Sequence, residues 1–304
     1  MVKNLKCVLL YIVKSPFFKP VNKKLKNALY NWKNMKTKKN KANAFTFRQA
    51  RNALFEMVRH NVKLQYRNSI LGVAWTILNP LLTMIVLALV FSHLLSNRGI
   101  TIDYPVYIMC GNVVFSFMRM CTSQCLPSIV GNGDLLSKTR VPHIIFPLSS
   151  ALSSSVNFAF SIVAVILVML VRMWSGADVT FSWTIIMIIP YFPALFGFSL
   201  GLGLILCVIF VRFRDIKHLY TIFLMLWTYG TPLFYSETIL SEKMMMVEQF
   251  NPMYHFVTYF REVVAMGNAG DFRTLGICYA SCAAAMLIGV ALFNWKKKTF
   301  ALYV

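Results

Sequence analysis

The stretch Leu71–Leu95, LGVAWTILNPLLTMIVLALVFSHLL, contains no Asp, Glu, Lys or Arg. A helix needs about 20 predominantly apolar residues to cross the hydrocarbon core of a membrane, and this run is long enough. Five further apolar runs follow along the chain, at 105–126, 144–171, 180–211, 219–235 and 272–295. The sequence therefore predicts an all-α integral membrane protein with six transmembrane helices.

The composition agrees with a chain whose solvent is largely lipid. Hydrophobic residues make up 58% of the 304 residues and charged residues 13%, against about 45–50% and about 25% in soluble globular proteins. Mean hydropathy is +0.61. These values exclude a soluble domain of ordinary type, and the low charge excludes an intrinsically disordered protein.

The charge is concentrated at one end of the chain. Residues 1–69 contain 17 of the 31 Lys and Arg residues, and Glu56 is the acidic residue among them. Beyond them, Lys and Arg enrich alternate loops between the predicted spans, and by the positive-inside rule both termini are cytoplasmic. A basic segment before a membrane domain favours anionic lipid headgroups as its partner, so we expect no nucleic acid.

Three regions are predicted. Residues 1–45 form a basic cytoplasmic extension, residues 46–70 an amphipathic interfacial helix, and residues 71–298 the six-span domain. In the second region, apolar residues from Phe47 to Val62 step by three or four positions, with basic residues on the opposite face. That pattern is typical of a helix lying in the headgroup plane, although it also fits a cytoplasmic helix packed on protein.

The segment 236–271 between spans five and six is too apolar for a solvated loop. We predict two short helices, broken near Asn251-Pro252, that re-enter the membrane from its outer face. Backbone at that depth must be buried in protein or line a cavity.

The predicted spans lack the groups that ion pumping or catalysis requires. None contains Asp or Glu, and the chain has no GxxxxGK[ST] phosphate loop, so a proton relay and nucleotide binding by that loop are both excluded. The seven cysteines and five histidines show no metal-ligand spacing, and the cysteines are interpreted as packing residues. No metal or catalytic site and no cofactor bound by this chain are expected.

Arg119 is the exception, since it lies about fourteen residues into span two. It either contacts an anionic substrate or anchors helices, or it snorkels to the inner surface. Aromatic residues within the spans either pack between helices or line a passage over which sugar rings slide.

Four blocks of sequence resemble type-2 ABC exporter permeases, and more narrowly the branch that exports O-antigen, capsule or wall teichoic acid. The entry block is Lys63–Trp75 with Asn79-Pro80-Leu81. The others, in order, are Asp134–Lys138 with Val141-Pro142 and Phe146-Pro147, then Phe213–Ile216 with Thr231–Tyr235, and finally Asn251–Met253 with Phe260–Glu262. The resemblance covers residues 47–298 approximately. The N-terminal segment 1–45 is longer and more basic than the N-terminal segment expected for this family.

The resemblance implies the permease subunit of an ABC exporter in the bacterial inner membrane, which moves a lipid-linked polysaccharide or teichoic-acid-like polymer. It implies a homodimer driven by two separate ATPase subunits, which bind ATP and Mg. The candidate residues that line the substrate passage are Trp75, Asn79, Phe223, Trp227 and Tyr229, with Arg119. The candidate residues for coupling to the ATPase are Lys138, Arg140, Arg212, Arg214 and Asp215. For Arg214 and Asp215 the alternative is that they pair with each other or with lipid headgroups.

Three other functions fit parts of the sequence. A permease for a drug or small lipid shares the six-span frame, but the entry block and the re-entrant segment argue against it. An integral-membrane glycosyl- or acyltransferase needs an essential acid or His at the membrane surface. A membrane scaffold would use the basic tail to bind lipid or nucleic acid.

Overall fold

A computed structural model of the chain describes residues 47–66, 74–95, 103–138, 141–177, 182–237, 240–297 and 300. Regular structure within these ranges is entirely helical. The chain divides into two units, residues 1–49 and 50–304, and only Phe47–Gln49, the start of the first helix, is described in the first unit. The predicted extension 1–45 lies outside the described residues.

Ten α-helices are described. They are α1 (Phe47–Tyr66), α2 (Ala74–Leu95), α3 (Tyr104–Cys125), α4 (Gly133–Lys138), α5 (Ile145–Trp174), α6 (Ile188–Arg212), α7 (Ile216–Gly230), α8 (Glu242–Gln249), α9 (Pro252–Val264) and α10 (Phe272–Lys296). Short 3₁₀ turns at Val130–Asn132 and Trp183–Met187 precede α4 and α6.

Each predicted span overlaps one helix, namely α2, α3, α5, α6, α7 or α10. Within the described part of the chain, three helical segments are long and apolar enough to cross a membrane: α5, Trp183–Arg212 and α10. The helical turns from Val130 to Leu136 are bent by 49° relative to α3. Counting α3 and these turns as one span gives a fourth candidate. The prediction of a membrane protein is confirmed at this level.

The fifth predicted span, 219–235, differs from its helix. Helix α7 begins three residues earlier and ends at Gly230, and Thr231 adopts an extended conformation with ψ 137°. Thr231 precedes Pro232, and the proline ring disfavours the helical conformation in the residue before it. The sequence therefore stays apolar through residues 231–235, although the helix ends at Gly230.

Capping residues set the helix boundaries in segment 236–271. Asn251 accepts a hydrogen bond from the Met253 amide at 3.1 Å and starts α9, with Pro252 in the first turn. Asp271 accepts from the Arg273 amide at 3.1 Å and starts α10. Side-chain oxygens at these positions satisfy amides that lack a helical partner. The predicted break near Asn251-Pro252 is confirmed as the boundary between α8 and α9.

The core is built around α3, most of whose side chains are buried against α5, α6 and α9. Helices α6 and α10 form the most extensive contact between two helices. Small residues make it possible: a Cβ atom on Gly201 would lie 2.5 Å from the Ala285 carbonyl carbon, and one on Gly289 would lie 2.5 Å from the Gly201 carbonyl oxygen. The backbones therefore approach so closely that neither glycine position has room for a side chain.

Side-chain contacts define two ends of the unit. At the first, which we call the Tyr104 end, Tyr104 donates to the Phe234 carbonyl at 2.8 Å and Asp103 pairs with Arg172. At the second, the Arg212 end, the turn after α3 approaches α6, with Ser128 Oγ 3.6 Å from Cys207 Sγ. The turn between α6 and α7 lies at this second end.

Candidate functional site

A groove of about 320 Å³ lies between α3 and α7. It brings together one cation, four hydroxyl groups and two apolar side chains, which belong to Arg119, Ser123, Thr221, Leu224, Met225, Thr228 and Tyr229. Two of these residues, Arg119 and Tyr229, are among the passage residues predicted from the sequence. The three Ser and Thr residues are not, because isolated hydroxyls in apolar runs carry no distinctive sequence signal.

Helix α7 exposes most of its surface. Tyr220 and Leu224 are its buried residues, whereas apolar side chains around the rest are more than half exposed: Leu219, Ile222, Phe223, Met225, Leu226 and Tyr229. Apolar side chains lie on every face of α7, but the described residues cover only one of these faces. The other faces need lipid, a second protein surface or a passing apolar ligand against them.

The other predicted passage residues lie outside this groove. Phe223 is 51% exposed on α7, and Trp75 and Asn79 are exposed near the start of α2. Trp227 is half-buried, with its ring edge-on to Phe115 at 6.0 Å. The indole N–H of Trp227 donates to Asn251 Oδ1 at 2.8 Å, so this residue joins α7 to the start of α9.

Asn251 is the centre of a polar cluster at the Tyr104 end. Its Nδ2 donates to Thr231 Oγ1 and to Glu248 Oε2, each at 2.9 Å, while its Oδ1 accepts from Trp227 and from the Met253 amide. One amide side chain thereby connects the end of α7, the end of α8 and the start of α9. The sequence blocks that contain Asn251 and Thr231 meet here.

Arg261 of α9 is a second junction in the same region, although it is only 3% exposed. Its Nη1 donates to the Pro232 carbonyl at 2.9 Å and its Nη2 to the Leu233 carbonyl at 2.8 Å. The guanidinium carbon lies 3.6 Å from the centre of the Tyr107 ring. A buried cation is tolerated where backbone carbonyls and an aromatic face replace its water, so Arg261 attaches the turn after α7 to α3 and α9.

Two carboxylates complete this cluster. Glu237 accepts hydrogen bonds from Tyr254 Oη at 2.9 Å and from Thr258 Oγ1 at 3.4 Å. Burial raises the pKa of Glu248, an effect that the Asn251 amide partly offsets and the nearby Glu237 charge reinforces. Burial, together with Glu237, also raises the pKa of Tyr254. Sequence reasoning assigned no role to Glu237, Glu248 or Tyr254, because carboxylates in a loop are usually solvated.

Three of the predicted coupling residues are at the Arg212 end. Arg212, Arg214 and Asp215 are exposed in the turn between α6 and α7. The ion pair formed within the described ranges joins Arg172 to Asp103, so the alternative pairing of Arg214 with Asp215 is not seen. Lys138 ends α4, its side chain is outside the described set, and Arg140 lies outside the described residues.

The cysteines are placed as packing residues. Five of the six described cysteines are buried, and all six carry free thiols. Cys125 Sγ, for example, donates to the Pro147 carbonyl at 3.2 Å, where α3 crosses the start of α5. Over the described ranges, no three His, Cys, Asp or Glu side chains come together in an arrangement suited to a metal ion.

The sequence is similar to those of known proteins over most of the chain. An O-antigen export system permease protein RfbA of Klebsiella pneumoniae is 26% identical over 249 residues, which are 82% of this chain and 93% of that protein. The protein of the same name from Myxococcus xanthus is 26% identical over 256 residues, 83% and 95% of the two chains. The polysialic acid transport protein KpsM of Escherichia coli is 22% identical over 234 residues, which are 75% of this chain and 87% of that protein.

The family model described as ABC-2 type transporter matches residues 52–264. The match includes the exposed helix α7, the groove beside it and the cluster around Asn251 and Arg261. It also covers well over half of the 304 residues. The chain therefore belongs to the ABC-2 type transporter family.

Proposed function

We propose that this chain is the transmembrane subunit of an ATP-driven exporter that moves a lipid-linked polysaccharide or a teichoic-acid-like polymer across the bacterial cell membrane. Membership of the ABC-2 family makes it a transport subunit rather than an enzyme, and implies a membrane location and an ABC ATPase as its partner. The observation that carries the polymer assignment is its similarity to O-antigen export permeases over 93% and 95% of their own lengths.

The proposal includes a homodimer. Helix α7 presents an apolar and aromatic surface that the described residues do not cover, and α2 also exposes large apolar side chains, including Trp75, Leu82 and Val86. We place the passage between two copies, with Trp75, Asn79, Phe223, Trp227 and Tyr229 near it. Flat aromatic faces let successive sugar rings slide across the surface between charged positions.

The proposed orientation puts the Arg212 end in the cytoplasm, because the loops there are the basic ones. All six predicted spans cross the membrane in this arrangement, both termini are cytoplasmic, α1 lies at the inner interface, and α8 and α9 re-enter from outside. The domain boundaries remain those predicted, with the permease domain at 71–298. Two ATPase subunits would contact loop 128–143 with Lys138 and Arg140, and the turn with Arg212, Arg214 and Asp215.

Reconstitution tests the function directly. The chain is co-expressed with its partner ABC ATPase, purified as a complex, and placed in liposomes with a lipid-linked glycan. We expect the ATPase to copurify, its hydrolysis rate to change in the presence of the permease, and labelled glycan to cross the bilayer only when ATP is supplied.

The matched control is a complex whose ATPase binds ATP without hydrolysing it, and this complex should support no net transport. ATP-independent uphill transport by the permease alone would contradict the proposal. A permease that purifies without any ATPase, and transfers glycosyl or acyl groups instead, would also contradict it.

A further inference from the structure

Arg119 supplies the positive charge in the groove between α3 and α7. Its Nη2 donates to Ser116 Oγ at 3.2 Å, and the ion pair of the described residues, Arg172 with Asp103, does not involve it. A cation inside a membrane domain is costly unless an anion or a water-filled cavity accompanies it. A guanidinium that faces a groove without a carboxylate beside it is therefore suited to an anion that arrives from elsewhere.

The direction of the side chain argues against snorkelling. Ser116 lies one helical turn nearer the Tyr104 end than Arg119, as expected for side chains that tilt toward the helix amino terminus. The Arg212 end would be reached in the other direction, since α3 ends six residues later, about 9 Å along the axis. The guanidinium thus points toward the Tyr104 end and not toward the basic end.

The hydroxyl groups opposite Arg119 have complementary chemistry. Thr221 Oγ1 donates to the Lys217 carbonyl at 2.9 Å and Thr228 Oγ1 to the Leu224 carbonyl at 2.6 Å. Because each hydroxyl hydrogen is already used within α7, the oxygens of Thr221 and Thr228 retain lone pairs that accept hydrogen bonds. The groove therefore offers a charged donor on α3 and neutral acceptors on α7.

We propose that this groove is a subsite for an acidic unit of the transported molecule. Arg119 binds its oxyanion, a phosphate or carboxylate, while Thr221 and Thr228 accept hydrogen bonds from neighbouring hydroxyls. A planar guanidinium matches the two oxygens of either anion. At about 320 Å³, the groove is at the small end of pockets that hold compact ligands, which range over about 300–1,000 Å³. It suits one charged unit rather than a coiled polymer.

This inference rests on the proposed transport function, and the oxyanion has two possible sources. It belongs either to the phosphate of a lipid carrier or to acidic groups along the polymer. The test uses the complete permease–ATPase complex in lipid nanodiscs. Equilibrium binding is measured for three probes, a prenyl diphosphate, a glucuronic acid oligosaccharide and a neutral dextran oligosaccharide, with wild type, Arg119→Gln, Arg119→Lys and the control Arg273→Gln.

Arg273 is an exposed arginine near the start of α10, outside the groove, so Arg273→Gln removes the same charge elsewhere. We expect Arg119→Gln to weaken binding of at least one acidic probe about tenfold or more, as for loss of a hydrogen bond between charged groups. Arg119→Lys should weaken it less, and Arg273→Gln should leave it unchanged. Weaker binding of prenyl diphosphate alone identifies the carrier as the source, and weaker binding of the acidic oligosaccharide alone identifies the polymer.

Two results would overturn the subsite: unchanged affinity of Arg119→Gln for both acidic probes, or an equal loss for neutral dextran, which would indicate a general structural effect. Neither result bears on ATP-driven export. That function fails separately if the wild-type complex does not transport a lipid-linked glycan, acidic or neutral, in liposomes.

Discussion

Helices α6 and α7 follow one another in the chain but are held in different ways. Helix α6 is in contact with α10 along much of its length, and small residues such as Gly201 and Gly289 bring the two backbones together. Helix α7 buries only Tyr220 and Leu224, and polar contacts attach it elsewhere: Tyr220 Oη donates to Thr122 Oγ1 at 2.6 Å, and the Asn251 and Arg261 junctions follow at its end. The comparison distinguishes a fixed scaffold from a helix that is attached at a few points and leaves its flank uncovered.

Of the changes that test this comparison, removing the attachment at the end of α7 should reduce the stability of the protein most. Arg261→Ala removes short hydrogen bonds to the Pro232 and Leu233 carbonyls and the contact with Tyr107. At about 1–3 kcal/mol for each buried carbonyl left without a donor, we expect a loss of about 4 kcal/mol of unfolding free energy. Thermal unfolding of the purified protein measures it.

The control for that variant is Arg273→Ala, which removes an exposed arginine at the start of α10 and should change the melting temperature little. If Arg261→Ala were as stable as Arg273→Ala, the turn after α7 would be held by something other than this arginine.

The close packing of α6 against α10 can be tested with two glycine substitutions in α10. A Cβ at Gly289 would lie 2.5 Å from the Gly201 carbonyl oxygen, whereas a Cβ at Gly276 meets no atom within 4 Å. We expect Gly289→Ala to cost about 1–3 kcal/mol by forcing α6 and α10 apart. Gly276→Ala should be neutral or stabilising by about 0.5–1 kcal/mol, because alanine is the better helix former. Equal melting temperatures for the two variants would mean that the pair is less tightly packed than the glycines indicate.

The smallest effect concerns the acidity of the cluster beside α7. Because burial raises the pKa of Glu248 above its usual 4.5, this carboxyl binds a proton more readily in the folded state than in the unfolded one. It therefore favours folding at low pH, and that contribution is lost as the pH rises from about 4.5 through the shifted pKa. We expect the melting temperature of wild type to fall over this interval, and Glu248→Gln to reduce the fall. A fall of the same size in Glu248→Gln would assign the pH dependence to other groups.

The same contrast explains how much of the molecule could be predicted from its sequence. Helices were predictable because uninterrupted apolar runs leave few other structures for a backbone in lipid, and the break at Asn251-Pro252 was predictable because both residues are strong local signals. The end of α7 was misplaced, since the run from Thr231 to Tyr235 is as apolar as the helix before it. Local conformation at Pro232, not hydropathy, ends the helix there.

The groove could be predicted only in part. Arg119 stands out as a cation in an apolar run, and Tyr229 follows from the family resemblance. Thr221 and Thr228 were missed because threonines on membrane helices commonly bond to their own backbone, as both do here. The role of Arg261 depends on carbonyls nearly thirty residues earlier in the chain, a relation that spacing and composition do not encode.

The length of α7 has a consequence for the bilayer around it. Fifteen residues extend about 22 Å, whereas the hydrocarbon layer of a typical membrane is about 30 Å thick. In the proposed six-span arrangement, lipids next to this helix must thin to match it, or other backbone must complete the crossing. A hydrophilic polymer that moves along α7 would then cross a thinner hydrocarbon layer than it would elsewhere in the membrane. A thicker membrane would oppose this movement.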